Sequence, residues 1–153
     1  MKKMIGKLLL LCVMLALVGY GGILLVFLST TVGDGADQDN VFAFVCAEEA
    51  ALLTAIEHGD FSAFENKGFI KGIDAGSGVV DFSCGGAGLG AATSYVGFYY
   101  TADDDMTAVW CAPPSSDSLT PSGNGFEWQE PDGDNRYYTE HICGKFYYYE
   151  ASF

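Results

Sequence analysis

Hydrophobic residues follow three successive patterns along the chain. Residues 5–28 form an almost unbroken apolar run whose one charge is Lys7. Residues 41–58 carry apolar side chains at helical spacing, and from Val79 onward apolar and polar positions alternate. These patterns are typical of a membrane-spanning helix, an amphipathic helix and β-strands, in that order.

The apolar run predicts a membrane anchor. As a helix, residues 8–28 would extend about 31 Å, close to the hydrocarbon thickness of a bilayer. Lys2, Lys3 and Lys7 precede the run, and the positive-inside bias therefore places the N-terminus in the cytoplasm and the remainder outside. A cleaved secretion signal is the alternative, which would make the protein secreted. We expect residues 1–28 to be the anchor or signal, residues 29–40 a polar tether, and residues 41–153 an extracytoplasmic domain.

Residues 41–58 predict an amphipathic helix with a cap at Asp39 or Asn40 and an end at Gly59. Glu49 lies in the apolar arc of this helix, so we expect a partly buried carboxylate that needs a cation or a hydroxyl as partner. The predicted buried face consists of Phe42, Val45, Cys46, Leu53 and Ile56.

Period-two alternation after the helix predicts about five antiparallel strands. Turn-forming segments near residues 85–90, 102–105, 112–125 and 131–135 separate them. Even-numbered positions, continuing through Trp110, Phe126 and Trp128, form the apolar set that would face the helix. The predicted fold is therefore α+β: an N-terminal transmembrane helix, then one amphipathic helix packed on an antiparallel β-meander of about five strands.

The charge distribution separates the anchor from the domain. All 20 acidic residues lie after residue 33, where only four cations occur, a balance of −16. Such a surface repels nucleic acid, which excludes it as a partner. All but two of the aromatic residues also lie in this part, as a folded domain requires.

Four cysteines follow the anchor, namely Cys46, Cys84, Cys111 and Cys143. An even number in an extracytoplasmic domain predicts two disulfides, for which three connectivities exist. Strand alternation places Cys84 on the helix-facing set and Cys111 and Cys143 on the other. The favoured pairs are therefore Cys46–Cys84 and Cys111–Cys143, unless strand bulges change the alternation.

Three arrangements match chemical motifs without the context those motifs need. Residues 86–91 fit the G-x-G-x-x-A dinucleotide pattern, but a strand and not a helix follows. His141 and Cys143 share one strand face, yet a disulfide at Cys143 would remove the nucleophile. Aspartates at 103–105 and 132–134 lack calcium-loop spacing, and turn chemistry explains them, with calcium as the alternative. We predict no cofactor, no metal site and no catalytic residue.

Five tyrosines share the odd-numbered set, which faces away from the predicted helix. Because a tyrosine ring combines apolar area with a hydrogen-bonding tip, this face is a candidate binding surface for a glycan or an envelope protein. The alternative is that the segment 112–125 or the tether covers it as a second core. The candidate binding residues are Tyr95, Tyr99, Tyr137, Tyr147 and Tyr149.

These features favour a membrane-anchored, disulfide-stabilised extracytoplasmic domain of a bacterial type that binds a ligand or partner at the cell envelope without catalysis. One alternative is a cell-envelope hydrolase that uses carboxylates such as Glu49, Glu127 or Asp81. Another is a structural component of an envelope assembly.

Overall fold

One α-helix packs on a seven-stranded antiparallel sheet in the computed structural model, which describes residues 36–76, 78–89 and 92–153. The predicted α+β class is confirmed, with seven strands in place of about five. The helix, α1, spans Gln38–His58. The strands are β1 (Gly72–Gly76), β2 (Val79–Leu89), β3 (Ala92–Thr101), β4 (Thr120–Ser122), β5 (Gly125–Gln129), β6 (Arg136–Cys143) and β7 (Phe146–Ser152).

The strands do not form one continuous meander. Their order across the sheet is β1-β2-β3-β7-β6-β5-β4, and every neighbouring pair is antiparallel. Two meanders, β1–β3 and β4–β7, therefore join through the pairing of β3 with β7. The connection between them, residues 102–119, holds turns and a short 3-10 helix at Ser116–Ser118. The alternation that continues through Trp110 predicts a strand in this segment, and that prediction is wrong.

Helix α1 is capped at both ends by side-chain and backbone chemistry. The Asp37 carboxylate accepts a hydrogen bond from the backbone N–H of Asn40 at 2.8 Å, so the cap lies two residues before the predicted Asp39. Gly59 ends the helix with a φ of 65°, a conformation that suits glycine. The predicted C-terminal end is therefore confirmed.

The buried face of α1 is rotated from the predicted one. Cys46 is exposed, and Leu53 is 40% exposed, so both of those predictions are wrong. The predicted arc was ambiguous because apolar residues occupy neighbouring positions on either side of it, and the tertiary contacts select which side is buried. The buried helix residues are Val41, Val45, Leu52 and Ala55.

Both faces of the sheet are buried, in two separate cores. We call the side against α1 the helix face and the opposite side the loop face. The helix-face core combines buried α1 residues with Phe64, Ile70, Val80, Phe82, Cys84, Phe98, Phe146 and Tyr148. The loop-face core consists of Tyr99, Val109, Cys111, Tyr137, Tyr147, Tyr149 and Ala151.

Strand alternation does not carry through the turns and bulges. Trp128 pairs with Tyr137 and packs in the loop-face core, although its even number predicted the helix face. Phe126, two residues earlier in the same strand, shares that side. The register also shifts between Ser83 and Gly85 and between His141 and Cys143. Each shift exchanges the faces of the residues that follow.

The cysteine positions overturn both predicted pairs, and none of the four cysteines in the described ranges is in a disulfide. Cys84 is buried in the helix-face core while Cys46 is exposed. Cys111 lies in the loop-face core, but the bulge before Cys143 turns that side chain toward the helix-face core. Cys111 and Cys143 therefore lie on opposite sides of the sheet.

Carboxylates help to fix α1 on the sheet. Glu140, 9% exposed on β6, accepts hydrogen bonds from Gln38 Nε2 and from the Tyr138 hydroxyl, both at 2.6 Å. Glu49 is half-buried as predicted, with its carboxylate against Gly144 in the β6–β7 turn. The bond from Gln38 to Glu140 anchors the start of α1 to β6.

Among the helices that the structure describes, none has both the length and the apolar character needed to cross a bilayer. The predicted anchor at residues 5–28 and the tether up to residue 35 lie outside the described residues.

Truncation of Leu52 and of Leu53 tests the observed helix phase. Leu52→Ala should lower the free energy of unfolding by about 2–5 kcal/mol, because Leu52 is fully buried and its loss leaves a cavity. Leu53→Ala, at the half-exposed neighbour, should change it by less than about 1 kcal/mol. Urea unfolding measures both. Equal losses, or a larger loss for Leu53→Ala, would contradict the assigned face.

Candidate functional site

The loop face holds all five predicted tyrosines, and four of them are buried. Tyr99, Tyr137, Tyr147 and Tyr149 are each no more than 6% exposed, and Tyr95 is half-buried. The prediction of an exposed tyrosine surface is therefore wrong for these four. The alternative of a second core is correct, although residues 106–119 cover this face in place of the predicted 112–125 or the tether. A binding role for the tyrosines stays a prediction, which now concerns Tyr95 and the support that the buried four give to their surroundings.

Residues 106–119, which we call the covering loop, lie over the buried tyrosines. Val109 and Cys111 are almost fully buried there, and other apolar loop residues pack beside them. The Tyr99 and Tyr137 hydroxyls both donate to the Met106 carbonyl oxygen, at 2.7 and 3.0 Å. Burial raises the pKa of Tyr99 to about 12, so its hydroxyl stays a neutral donor. These bonds hold the covering loop in place.

Asp81, on β2, is the most chemically unusual group on the loop face. Val80 and Phe82 point to the helix face, so alternation turns Asp81 to the opposite side. Its Oδ2 accepts a hydrogen bond from Trp110 Nε1 at 3.2 Å. Its Oδ1 is buried, and no residue in the described part of the chain donates to it. A carboxylate that is desolvated and only half satisfied is costly to keep charged.

The electrostatic environment of Asp81 favours its protonated form. Burial, the largest cause, raises the pKa of Asp81 to about 6. The nearby Tyr149 hydroxyl and the Trp110 indole act against this effect, while the charge of Asp74 adds to it. The carboxyl therefore titrates close to neutral pH, as acid–base groups and ligand-binding carboxylates often do.

A cleft opens beside Asp81. Its volume is about 300 Å³. Asp74 lies directly opposite Asp81 in the pairing of β1 with β2, so both carboxylates point to the loop face. The lining residues are Asp74, Gly76, Val79, Asp81, Ala108, Val109 and Trp110.

Trp110 forms the outer wall of this cleft. A turn in which the Ala112 N–H donates to the Val109 carbonyl at 3.0 Å presents Trp110 outward, while Val109 and Cys111 on either side are buried. Trp110 is 61% exposed, although its indole N–H donates to Asp81. The side chain is therefore fixed in orientation and open to solvent on its ring.

Tyr95 and Phe153 extend the exposed indole into an aromatic surface. The Trp110 ring centroid lies 5.2 Å from that of Tyr95, edge to face, and 6.0 Å from that of Phe153. Tyr95 and Phe153 are 6.1 Å apart, and two 2.8 Å backbone bonds between Thr93 and Phe153 hold the last ring. We call Tyr95, Trp110 and Phe153 the aromatic platform.

The other predicted carboxylates do not join Asp81. Glu127 is exposed on β5, where it lines a groove of about 390 Å³ at the end of the sheet with Arg136 and Glu150. Glu49 lies on α1, on the opposite side of the sheet from Asp81. The structure therefore brings no two of the three predicted hydrolase acids together, and it pairs Asp81 with Asp74 instead.

His141 and the aspartates in the turns form no further site. His141 is exposed, and its Nε2 lies 2.9 Å from the Gly144 carbonyl oxygen. One turn aspartate, Asp104, accepts a 2.7 Å hydrogen bond from the Tyr147 hydroxyl. Within residues 36–76, 78–89 and 92–153, no group of three or more His, Cys, Asp or Glu side chains is arranged to hold a metal.

Comparison of the chain with protein-family models, with curated proteins and with solved structures finds no match.

Asp81→Asn tests the assigned burial through its pH dependence. The folded-state pKa is raised from 3.8 to about 6, so the folded protein binds the proton more tightly than the unfolded chain does. Asp81 therefore does not lower the free energy of unfolding below about pH 4. The loss of stability grows as the pH rises to about 6 and is constant above it. The variant should match the parent at pH 3.5 and exceed its stability by on the order of 1–3 kcal/mol at pH 7.5.

Urea unfolding at the two pH values measures the difference. Asp117→Asn, at an exposed aspartate of the covering loop, is the matched control and should show no pH-dependent gain. An Asp81→Asn variant that is no more stable than its parent at pH 7.5 would contradict the assignment.

Proposed function

We propose that the chain is a membrane-anchored extracytoplasmic domain that binds a glycan of the cell envelope, without catalysis, through the aromatic platform and the Asp81 cleft. The observation that carries the proposal is Trp110, which is 61% exposed while its indole N–H donates to the half-buried Asp81 carboxylate. A large aromatic side chain that stays exposed at fixed orientation is ready to stack without a further loss of side-chain entropy.

The chemistry of the cleft suits a sugar. The faces of a pyranose ring carry C–H groups that pack on an indole, and its hydroxyls can donate to carboxylates. The exposed Asp74 carboxylate, which faces Asp81 across β1 and β2, supplies an acceptor in the cleft beside Trp110.

The proposed location follows from residues 1–28. Three lysines precede an apolar run long enough to span a bilayer, which favours an anchor with the C-terminal domain outside. The negative charge of that domain supports a neutral or cationic ligand over an anionic one. A neutral envelope glycan fits this charge.

Trp110→Ala should abolish glycan binding with little loss of fold. A ligand that binds only the folded state at 100 times its Kd stabilises by about 2.7 kcal/mol, a rise in melting temperature of several degrees. We expect N-acetylglucosamine oligosaccharides to produce this rise in the parent chain. Trp110→Phe, which keeps a ring and loses the N–H, should retain part of it.

Leu53→Ala, the other large exposed hydrophobic among the described residues, is the matched control and should keep the full rise. A rise that Trp110→Ala leaves unchanged would place the glycan elsewhere. If no envelope glycan raises the melting temperature of the parent chain, glycan binding is excluded. The remaining functions are then binding of a protein partner or a structural role in an envelope assembly.

A glycan hydrolase is the second candidate, and the raised pKa of Asp81 favours it. A carboxyl with a pKa of about 6 can donate a proton to a leaving group near neutral pH, and the facing Asp74 can serve as the second carboxylate. If this is correct, the parent chain releases reducing ends from glycan oligosaccharides, with a fall in rate above about pH 6. Asp81→Asn should lose at least about 100-fold in rate.

A reducing-end assay between pH 4 and pH 8 distinguishes the two candidates. Asp117→Asn serves again as the control that should retain the parent rate. Binding without cleavage in the parent chain would exclude the hydrolase and leave the binding module.

A further inference from the structure

The Cys46 and Cys143 side chains lie next to each other, although not at bonding distance. Cys46 is exposed on α1, and Cys143 is half-buried at the end of β6. The bulge between His141 and Cys143 turns Cys143 toward the helix. The two thiols thus come from elements that are far apart in sequence.

A second contact one helical turn later supports this juxtaposition. Glu49, three residues after Cys46, places its carboxylate against Gly144, the residue that follows Cys143. Gly144 has a φ of 54° and makes the β6–β7 turn. One turn of α1 therefore lies directly on this hairpin, and the two cysteines share that contact.

We propose that Cys46 and Cys143 form a disulfide that locks α1 to the β6–β7 hairpin. This pairing differs from both pairs that strand alternation predicts. It rests on the proposed function only for an oxidising compartment outside the membrane, since disulfides persist there. The bond would close a loop of roughly 100 residues, a length at which a cross-link strongly restricts the unfolded chain.

Thiol–disulfide exchange with a small-molecule disulfide such as glutathione disulfide supplies the oxidant. The Cys46 thiolate attacks one sulfur of the oxidant, forms a mixed disulfide and releases one thiolate. The Cys143 thiolate then attacks the Cys46 sulfur and releases the second. The two cysteines lose two electrons, the oxidant becomes two thiols, and the two cysteine protons end on those thiols.

The two steps have a natural order. Burial, together with the neighbouring Cys46 thiol, raises the pKa of Cys143 to about 12. Cys46 is exposed and meets the oxidant first, since reactivity follows access and thiolate character. Cys143 then acts as the resolving thiol.

Cys84 and Cys111 should stay reduced in the folded protein. They belong to separate cores, on the helix face and the loop face. Burial raises the pKa of each to about 12, which keeps them as unreactive thiols. One disulfide and two buried thiols is therefore the expected state.

Peptide mapping distinguishes the new pair from the predicted ones. The full chain, carrying Cys12→Ser, is treated with glutathione disulfide in detergent micelles and then unfolded in guanidinium chloride with iodoacetamide present, so that every free thiol is blocked. It is then digested with trypsin without reduction. The sequence then yields fragments 8–67 with Cys46, 72–136 with Cys84 and Cys111, and 137–145 with Cys143. We expect 8–67 linked to 137–145, and fragment 72–136 carrying two blocked thiols.

A link from 72–136 to either other fragment, or an unlinked 137–145 after oxidation, would overturn the proposal. Oxidation should also raise the melting temperature by roughly 10 °C. This rise should vanish in Cys46→Ser, whose exposed site tolerates the change, and persist in Leu53→Ala. A rise that survives in Cys46→Ser would overturn it too. No glycan enters this test, so its result is independent of the proposed binding function.

Discussion

Two tyrosine hydroxyls that donate to one carbonyl oxygen organise the loop face. Tyr99 on β3 and Tyr137 on β6 both bond to Met106, so a single backbone group joins two strands that β7 separates. Without the covering loop, both buried hydroxyls would lose an acceptor and a large aromatic surface would meet water. The turn that exposes Trp110 begins three residues later, at Val109, so the platform depends on this anchor.

The sequence predicts local structure well where one residue decides the outcome. Gly59 ends α1 because its positive φ suits glycine, and alternation correctly separates Val80 and Phe82 from Asp81. It fails where two local solutions compete. Apolar residues occupy much of the circumference of α1, so contacts with the sheet determine that Leu52 and not Leu53 is buried. Prediction also fails at bulges. The extra residue before Cys143 turns its side chain to the other face of the sheet, and nothing in the alternation pattern indicates this.

The candidate site was only partly accessible to prediction. The shared side of the five tyrosines follows from their odd numbers, but their burial depends on a long-range contact with residues 106–119. Asp81 is one of the predicted candidate acids, but its burial depends on long-range contacts with residues 108–110, which alternation does not predict. Trp110 gave no signal of exposure. Its exposure results from a turn in which the residues on either side of it are buried. A buried, exposed, buried sequence has the same period of two as a strand, so the alternation pattern predicts a strand there.

The two outer strands of the sheet limit how the protein can self-associate. β4 is three residues long and contains Pro121, which has no N–H to offer a further strand. β1 begins and ends with glycine and carries Asp74 near its middle, and a charge on an edge opposes pairing with another chain. Copies crowded on one surface would therefore not extend each other's sheets. Among the described residues, an ordered assembly would have to use side-chain surfaces such as the aromatic platform.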